Sequence, residues 1–552
     1  MRSTTFNNEK SFTTGEEFFE SYGNPHPPQK EEPQEYFIGD IYDRYDGLRD
    51  GRPYVRKVKN LARNGWPQLR YLADFLDCST VPVKQKSLTS EDRKERLSRL
   101  RIAVLDVTPG TALTTHEFYS ADDLAYFLDS QPWDDRIGNV RLFVVEDLSR
   151  ASIELLGNRF NLDPGFFRSH LCDYTWFNLR DPWFEMPKLP SRARADPYCN
   201  LRHQRPHYFR DEVSAKRAKR RVGGFNVLRR IDFDNWKSWA DKPGSSVGSV
   251  RASTSCYIRP RQEADQGWLG ILLVDPPVKE GYPLWSGYDN IRSPSSFPDC
   301  EHFGPHLYRS PLEDFVYWAK TMTIEELQLI RSDNDFMISP ILSSIPAQWL
   351  LNFEHINNRL SLIEWEIERE DHRSVHGLAA ALKRLHPWRR NVVNFGYRIR
   401  ASIDTVARFD RPDGPHQREW QNMLANFDDL EKRYKVLEAK IDKIMSVLTA
   451  VISIEETKKQ ITNARDVSRI TYLAFIYVPL SFFAALFSMN EDFPTGQTTV
   501  YWVFFAVAVP VTALSLLLAT FWELIQKLLE SRKRPDRRDE DDGLIGRALK
   551  RA

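Results

Sequence analysis

The sequence has little that would mark a secreted protein, a zinc protein or a nucleic-acid-binding protein. Its 552 residues include only 5 cysteines, with no C-x-x-C pair among them. Scattered thiols in an odd number favour a reduced cytosolic body over a disulfide framework or a zinc site. The formal net charge is +1, so no overall positive field would attract nucleic acid. We therefore predict no nucleic-acid partner.

Motifs of the common enzyme classes are also missing. The chain contains no P-loop, no dinucleotide-binding fingerprint and no nucleophile-triad signature, and we predict that the protein is not an enzyme. The first 35 residues lack the apolar stretch of a signal peptide, and they carry glutamates where a mitochondrial presequence would be rich in arginine. This argues against mitochondrial import.

Two uncharged apolar segments near the C-terminus contrast with this polar background. Residues 470–490, ITYLAFIYVPLSFFAALFSMN, contain no Asp, Glu, Lys or Arg, and a second uncharged run covers 500–522. About 20 apolar helical residues cross a bilayer core of about 30 Å. We therefore predict two transmembrane helices, joined by an extracytosolic loop at 491–499.

The charges around these segments predict the topology. The loop carries two acids and no base, whereas bases precede the first span and follow the second. The basic residues before the first span are Lys458, Lys459, Arg465 and Arg469. By the positive-inside rule both termini are cytosolic, and we expect the plasma membrane rather than an organelle.

The remaining chain divides by composition and periodicity, and the predicted fold class is an α+β cytosolic domain, a long helical stalk and two C-terminal transmembrane helices. The predicted divisions outside the membrane are a disordered tail at 1–40, an α/β domain at 41–322, a helical segment at 323–410, a stalk helix at 416–469 and a cytosolic tail at 523–552.

Within the α/β domain, apolar β-branched runs predict strands at 101–107 and 140–148, and a hairpin from the runs at 256–261 and 268–275. Ser120 is predicted to cap a helix. Stretches 236–255 and 275–305 are rich in Gly, Ser or Pro and are predicted to be surface loops. In the helical segment, one helix is predicted to end at His386-Pro387.

The most regular pattern lies on the stalk. Apolar residues alternate steps of three and four, which predicts a helix with a seam of period 3.5. We refer to these ten positions as the seam: Trp420, Met423, Phe427, Leu430, Tyr434, Leu437, Ile441, Ile444, Leu448 and Val451. The seam would pack either on the chain's own preceding helices or on other subunits. No Pro or Gly separates it from the first span, so one helix is predicted from Gln417 to Phe487.

A stalk helix that enters a span, a mid-span proline at Pro479 and the closing Phe487-Ser488-Met489-Asn490 resemble the CorA family of magnesium channels, which ends its first span in Gly-Met-Asn. The chain resembles fungal-type members with an enlarged cytosolic part. The resemblance implies a homopentamer in a lipid bilayer, with the first span lining a pore for hydrated divalent cations. It also implies that Mg²⁺ is transported and that cytosolic carboxylates sense it.

The pore mouth is predicted from the chemistry of the ion. Mg²⁺ releases inner-shell water reluctantly and prefers oxygen ligands, so a ring of Asn490 amides, flanked by Ser488 and Met489, suits the hydrated ion. Glu491 and Asp492 would concentrate cations outside the mouth. Counted back from Asn490 by helical steps, the predicted pore-lining residues are Ala485, Ser481, Val478, Ala474, Thr471 and Val467. Val478 and Val467 would form a constriction that dewets.

Two alternatives to a Mg²⁺ channel remain open. Serine replaces the family's glycine at Ser488, which motivates a membrane-anchored scaffold or sensor that does not transport, and a zinc-selective family member differs only in its ion. The basic run at 216–221 indicates a solvated or lipid-facing surface more than a nuclear signal. His203 and His207 are four residues apart, but no Cys or acid cluster completes a zinc set, so no zinc site is predicted there.

Overall fold

A computed structural model of the chain describes residues 51–80, 88–108, 113–133, 139–171, 188–234, 241–259, 267–284, 310–320, 322–368, 375–410, 416–489 and 502–515, with Leu517 and Phe521. The predicted tails at 1–40 and 523–552 and the predicted loop at 491–499 lie outside these residues. The described chain forms two compact units. One contains the residues up to Met445 apart from Arg373–Ala379, and the other contains that short stretch and the residues from Ser446 onward.

The first unit is built around a mixed sheet of eight strands. Its order is β2-β1-β3-β7-β6-β4-β8, with β5 beside β6. Among the described strands, only β3 and β7 run parallel to each other, and the other pairs are antiparallel. The strands are β1 (Ile102–Val107), β2 (Thr114–Phe118), β3 (Val140–Glu146), β4 (Tyr198–Phe209), β5 (Ile231–Phe233), β6 (Ser246–Ile258), β7 (Trp268–Val274) and β8 (Tyr282–Pro283).

Helices account for most of the remaining described chain. In order they are α1 (Pro53–Arg63), α2 (Arg70–Cys78), α3 (Ser90–Ser98), α4 (Ala121–Ser130), α5 (Arg150–Phe160), α6 (Pro164–Leu171), α7 (Pro190–Ala195), α8 (Glu212–Gly224), α9 (Pro311–Lys320), α10 (Ile324–Ser332), α11 (Ser339–Glu368), α12 (Val375–Val406), α13 (Gln417–Ser488) and α14 (Trp502–Ser515). Short 3-10 turns cover Pro67–Leu69 and Asn334–Ile338.

Helices cover both faces of the central strands. On one face, β1, β3 and β7 share an apolar core with α1, α2, α4, α5 and α6. On the other face, the indole N–H of Trp268 donates to Asp335 in the second 3-10 turn at 2.8 Å, α9 packs near β1 and β3, and α11 packs along β4. Every residue of β1, β3 and β7 is therefore buried, as expected of strands enclosed on both sides.

Several local predictions are confirmed. The runs at 101–107 and 140–148 form β1 and β3, and the predicted hairpin forms the antiparallel pair β6 and β7. Ser120 caps α4, because its side chain accepts a hydrogen bond from the Asp122 N–H at 3.2 Å. The α+β class is thus correct for the first unit.

The predicted surface loop at 236–255 is wrong over its second half. Residues from Ser246 onward form β6, a strand of 13 residues that pairs with β4, β5 and β7. Ser253 and Ser255 in this strand are buried, and both accept hydrogen bonds from the Asn200 amide at 2.7 Å. Satisfied hydroxyls allow a polar sequence to occupy the interior of a sheet. Of the second predicted loop, residues 285–305 lie outside the described chain.

The predicted helix end at His386-Pro387 is also wrong. α12 runs through Pro387 for 32 residues in total. A proline inside a helix costs about 3 kcal/mol or more. The apolar residues Leu385, Val392 and Ile399 are buried on either side of it, and burying such side chains stabilises by about 1.5–3 kcal/mol each. Packing therefore outweighs the proline.

The stalk prediction is confirmed, since α13 is one helix of 72 residues from Gln417 to Ser488. Its seam is buried from Trp420 to Leu448. In the first unit the rings of Trp349, Phe353 and Phe395 contact the Tyr434 ring, and Phe409 stacks on Trp420. The chain's own helices α11 and α12, one of the two predicted kinds of partner, contact the seam at Tyr434.

Candidate functional site

The predicted pore mouth lies at the end of α13. Ser488 is the last residue of this helix and Met489 follows it, and both side chains are exposed. Asn490, Glu491 and Asp492 lie outside the described residues. The structure therefore places the helix end that would present the Asn490 amide, and the positions of the amide and of the two acids stay predictions.

The six predicted pore-lining residues share one face of α13. At 100° per residue, Val467, Thr471, Ala474, Val478, Ser481 and Ala485 lie within about 80° of arc. All six are exposed in the single chain. An apolar helix face that its own chain leaves uncovered needs lipid, a pore or another subunit as its environment.

The opposite face of the same segment is partly covered. Ile476, Leu480 and Phe483 are the half-buried aliphatic and aromatic residues between Ile470 and Leu486, and their mean direction is about 170° from that of the six predicted pore residues. In the same unit, α14 buries Ala508 and Thr512, which are four residues apart and so share a face. The apolar part of α13 therefore has a half-buried face, formed by Ile476, Leu480 and Phe483, and an exposed face, formed by the six predicted pore residues. We call these two faces the shielded back and the open front.

Two hydroxyls on the open front are bonded to the backbone of α13. The Thr471 hydroxyl donates to the Val467 carbonyl at 2.8 Å, and the Ser481 hydroxyl donates to the Val478 carbonyl at 3.0 Å. Their protons are satisfied inside the helix, as is required away from water. The oxygen lone pairs remain available to accept hydrogen bonds from outside the helix.

Pro479 lies inside α13, in the middle of this segment. Proline has no backbone N–H, so the carbonyl of Phe475 has no donor at the usual fourth position along the helix. Neighbouring helices, hydroxyl groups or water can supply such a donor in a membrane helix.

The membrane segments differ in how far the structure supports them. Among the described residues, one helix, α13, is long and apolar enough to cross a bilayer, and its apolar part is not buried in the chain. Of the second apolar run, the structure describes α14, Leu517 and Phe521, and α14 by itself is shorter than a span. The two-pass topology therefore stays a prediction.

One step of the predicted pore face needs correction on geometric grounds. The step from Ala485 to Asn490 is five residues, which is about 140° on a helix rather than one face. In addition, α13 ends at Ser488, so the backbone after that residue sets the direction of the amide. Helical counting therefore supports the face from Val467 to Ala485, and it does not extend to Asn490.

The two histidines that are four residues apart in the sequence lie on a strand. His203 and His207 are both buried in β4. Four residues along a strand span about 13 Å, too far for the two rings to hold one ion. Burial, aided by the charge of Arg205, lowers the pKa of His203 to about 3, and burial lowers the pKa of His207 to about 4. Both rings are neutral at physiological pH.

The basic run at 216–221 lies on α8 and is partly neutralised by its own chain. Lys216 pairs with Glu212 at 3.1 Å, and Arg221 pairs with Glu280 at 2.6 Å. The amine of Lys219 lies 5.2 Å from the centre of the Phe233 ring. The prediction of a solvated or lipid-facing surface remains a prediction.

Sequence reasoning missed a buried polar chain between the sheet and α13. The Ser249 hydroxyl lies 2.9 Å from the side-chain oxygen of Gln204 and 3.1 Å from that of Asn352. The Asn352 amide donates to the Tyr434 hydroxyl at 3.0 Å, and that hydroxyl donates to the Trp349 carbonyl at 3.1 Å. The polar tyrosine at an apolar seam position was the signal in the sequence.

Known proteins similar to this chain bear on the family resemblance. Residues 322–522 match the family described as CorA-like Mg²⁺ transporter protein. No curated protein matches the chain significantly. Among solved structures, the full-length CmaX protein is similar at 10% identity and a TM-score of 0.36, with 78% of this chain and 98% of that chain covered. The match over residues 322–522 confirms the resemblance to this family that the sequence indicated.

Proposed function

We propose that the protein is a passive channel for divalent cations, with Mg²⁺ as its main substrate and a pore lined by the membrane part of α13. The observation that carries this proposal is the match of residues 322–522 to a family of Mg²⁺ transporters, on a helix whose apolar front the chain leaves uncovered. In this proposal the chain spans the membrane twice with both termini in the cytosol, and the second span includes α14.

The chemistry of the open front suits a hydrated cation. Water bound to Mg²⁺ presents hydrogen atoms outward, and Mg²⁺ retains much of this water. The pore therefore needs hydrogen-bond acceptors rather than direct ligands. Thr471 and Ser481 offer oxygen lone pairs because their protons are bonded to the helix backbone. The carbonyl oxygen of Asn490 supplies a further acceptor at the proposed mouth.

One chain offers too few acceptors for selectivity, so the proposal requires an oligomer. A cyclic oligomer directs identical side chains at one axis, and a homopentamer would place five Asn490 amides there. The shielded back of α13, formed by Ile476, Leu480 and Phe483, would then face α14, while the six pore residues face the axis. Val478 and Val467 would form the apolar constriction.

Ion flux into liposomes tests the proposal. Purified protein reconstituted with a trapped Mg²⁺ indicator is expected to admit Mg²⁺ along a potential, and Asn490→Ala is expected to reduce entry at least tenfold. Asn463→Ala removes the same amide from an exposed position on the cytosolic part of the helix and is expected to leave entry unchanged. If Mg²⁺ enters liposomes with the Asn490→Ala variant as fast as liposomes with the unsubstituted protein, Asn490 does not form the pore mouth. If no divalent cation enters in either case, the protein is not a channel.

The oligomeric mass of the purified protein in detergent is the second test of the proposed function. Five chains of 64.5 kDa give about 320 kDa of protein. A monomer would have no axis for the amide ring, and it would favour the scaffold or sensor function that the Ser488 substitution suggests. Comparison of Mg²⁺ with Zn²⁺ in the flux assay separates the zinc-selective alternative.

A further inference from the structure

Two free cysteines face each other in the sheet of the first unit. Cys199 in β4 lies directly opposite Cys256 in the antiparallel register of β6. Both are unpaired thiols, with exposed fractions of 7% and 2%. Residues directly opposite in such a pair point to the same face of the sheet, and the two thiols are hydrogen-bonded to each other.

The backbone spacing at this pair is compatible with a disulfide. Two residues along the ladder, the Ile258 N–H donates to the Pro197 carbonyl at 3.0 Å. Because pair types alternate, Cys199 and Cys256 also form a hydrogen-bonded pair, with Cα atoms about 5.5 Å apart. Disulfides bridge Cα atoms about 4.4–6.8 Å apart. The Cβ atoms need to approach from about 5.5 Å to about 3.8 Å, so the bond would form with a small strand movement and would be readily reduced.

The surroundings make the two thiols unequal. The guanidinium of Arg408 donates to the carbonyls of Asp196 and Tyr198 at 3.4 and 3.2 Å, and its charge lies close to Cys199. The hydrogen bond from the Cys256 thiol, with the Arg408 charge, lowers the pKa of Cys199 against the effect of burial. The same hydrogen bond and burial raise the pKa of Cys256 well above its ordinary value. Cys199 is thus the better thiolate, which is the nucleophilic form.

We propose that Cys199 and Cys256 form a hydroperoxide-sensitive dithiol, in which Cys199 attacks and Cys256 resolves. The Cys199 thiolate attacks one peroxide oxygen, the O–O bond breaks, and the sulfur becomes a sulfenic acid while hydroxide takes a proton and leaves as water. The Cys256 sulfur then attacks the Cys199 sulfur, the S–O bond breaks, and a second water leaves with the thiol proton. The two thiols supply two electrons, and the peroxide becomes two waters. A dithiol reductant reverses the oxidation.

Residue-resolved mass spectrometry on the full-length protein tests this proposal, which does not depend on transport. The protein in detergent is treated with hydrogen peroxide, denatured and alkylated. We expect Cys199 and Cys256 to lose alkylation together, with recovery of a peptide pair joined by these two residues and its loss after dithiothreitol. The other three cysteines serve as internal comparators. Full alkylation of the pair at peroxide levels that oxidise a comparator, or a disulfide to a comparator, would overturn the proposal.

Single substitutions assign the roles. In Cys256→Ser the sulfenic acid on Cys199 has no resolving thiol, so dimedone is expected to label Cys199. In Cys199→Ser no dimedone adduct is expected on Cys256, and its appearance there would reverse the assignment. Arg408→Gln is expected to slow oxidation of Cys199 severalfold, while Arg408→Lys retains the positive charge and most of the rate. If the Gln and Lys variants oxidise at the same rate as the unsubstituted protein, Arg408 does not position the thiolate.

Discussion

Acidification is expected to loosen the sheet of the first unit through two buried histidines. The pKa is about 3 for His203 and about 4 for His207, whereas an unfolded histidine has a pKa of about 6.5. A base with a lowered pKa in the folded state takes up protons preferentially when unfolded. Its stabilising effect is therefore complete above pH 6.5 and is lost as the pH falls towards its folded pKa.

The expected loss of stability follows from the two pKa values. Between about pH 7.5 and about pH 5.5, each histidine loses about 1.35 kcal/mol of stabilisation, or about 2.7 kcal/mol together. Asp147 opposes them, because burial raises its pKa to about 6 and protonation of the folded state returns about 0.8 kcal/mol. Burial also lowers the pKa of His170, which adds to the loss. The net effect is about 2 kcal/mol of destabilisation or somewhat more.

Hydrogen exchange of the β4 and β6 amides measures this effect where it arises. A loss of about 2 kcal/mol lowers protection factors about 30-fold, once the pH dependence of intrinsic exchange is removed. Combined His203→Gln and His207→Gln substitutions should abolish most of this drop, since neither side chain titrates. His386→Gln, at an exposed position on α12, should retain it. If the double variant loses protection on acidification as the unsubstituted protein does, the two histidines are not the cause.

Two further predictions concern α13. Tyr434→Phe removes the hydroxyl that accepts from Asn352 and donates to the Trp349 carbonyl. Thermal unfolding should show that the first unit is less stable by about 1–3 kcal/mol. The control Tyr397→Phe, at a residue that is 72% exposed, should leave the unfolding temperature unchanged. Val478→Ser should wet the proposed constriction and raise divalent flux in liposomes severalfold, whereas Leu473→Ser, about 140° away around the helix, should not.

The elements that the sequence predicted correctly share a strong periodicity or a local capping signal. β1 and β3 are runs of apolar and β-branched residues, and α13 repeats its seam at steps of three and four. Such patterns depend on neighbours along the chain and need no knowledge of tertiary contacts. Seam partners are a tertiary property, so the contacts of Tyr434 with α11 and α12 required the structure.

The errors arose where long-range packing opposes local preference. The first half of β6 is predicted to be a surface loop because it is rich in Gly and Ser, yet β4 pairs with it along its length. Pro387 predicts a helix end, yet buried residues on both sides keep α12 continuous. The thiol pair gives no signal in the sequence, because 57 positions separate Cys199 from Cys256 and only the strand register brings them together.

The proline inside the membrane part of α13 has a mechanical consequence. A helix resists bending because each bend must stretch hydrogen bonds along one side, and at Pro479 one of those bonds is already missing. The final turns, from Leu480 to Ser488, can therefore tilt as a short rigid rod about Pro479 at little energetic cost. Widening at the outer end of the proposed pore would then require no change in the preceding turns of the helix.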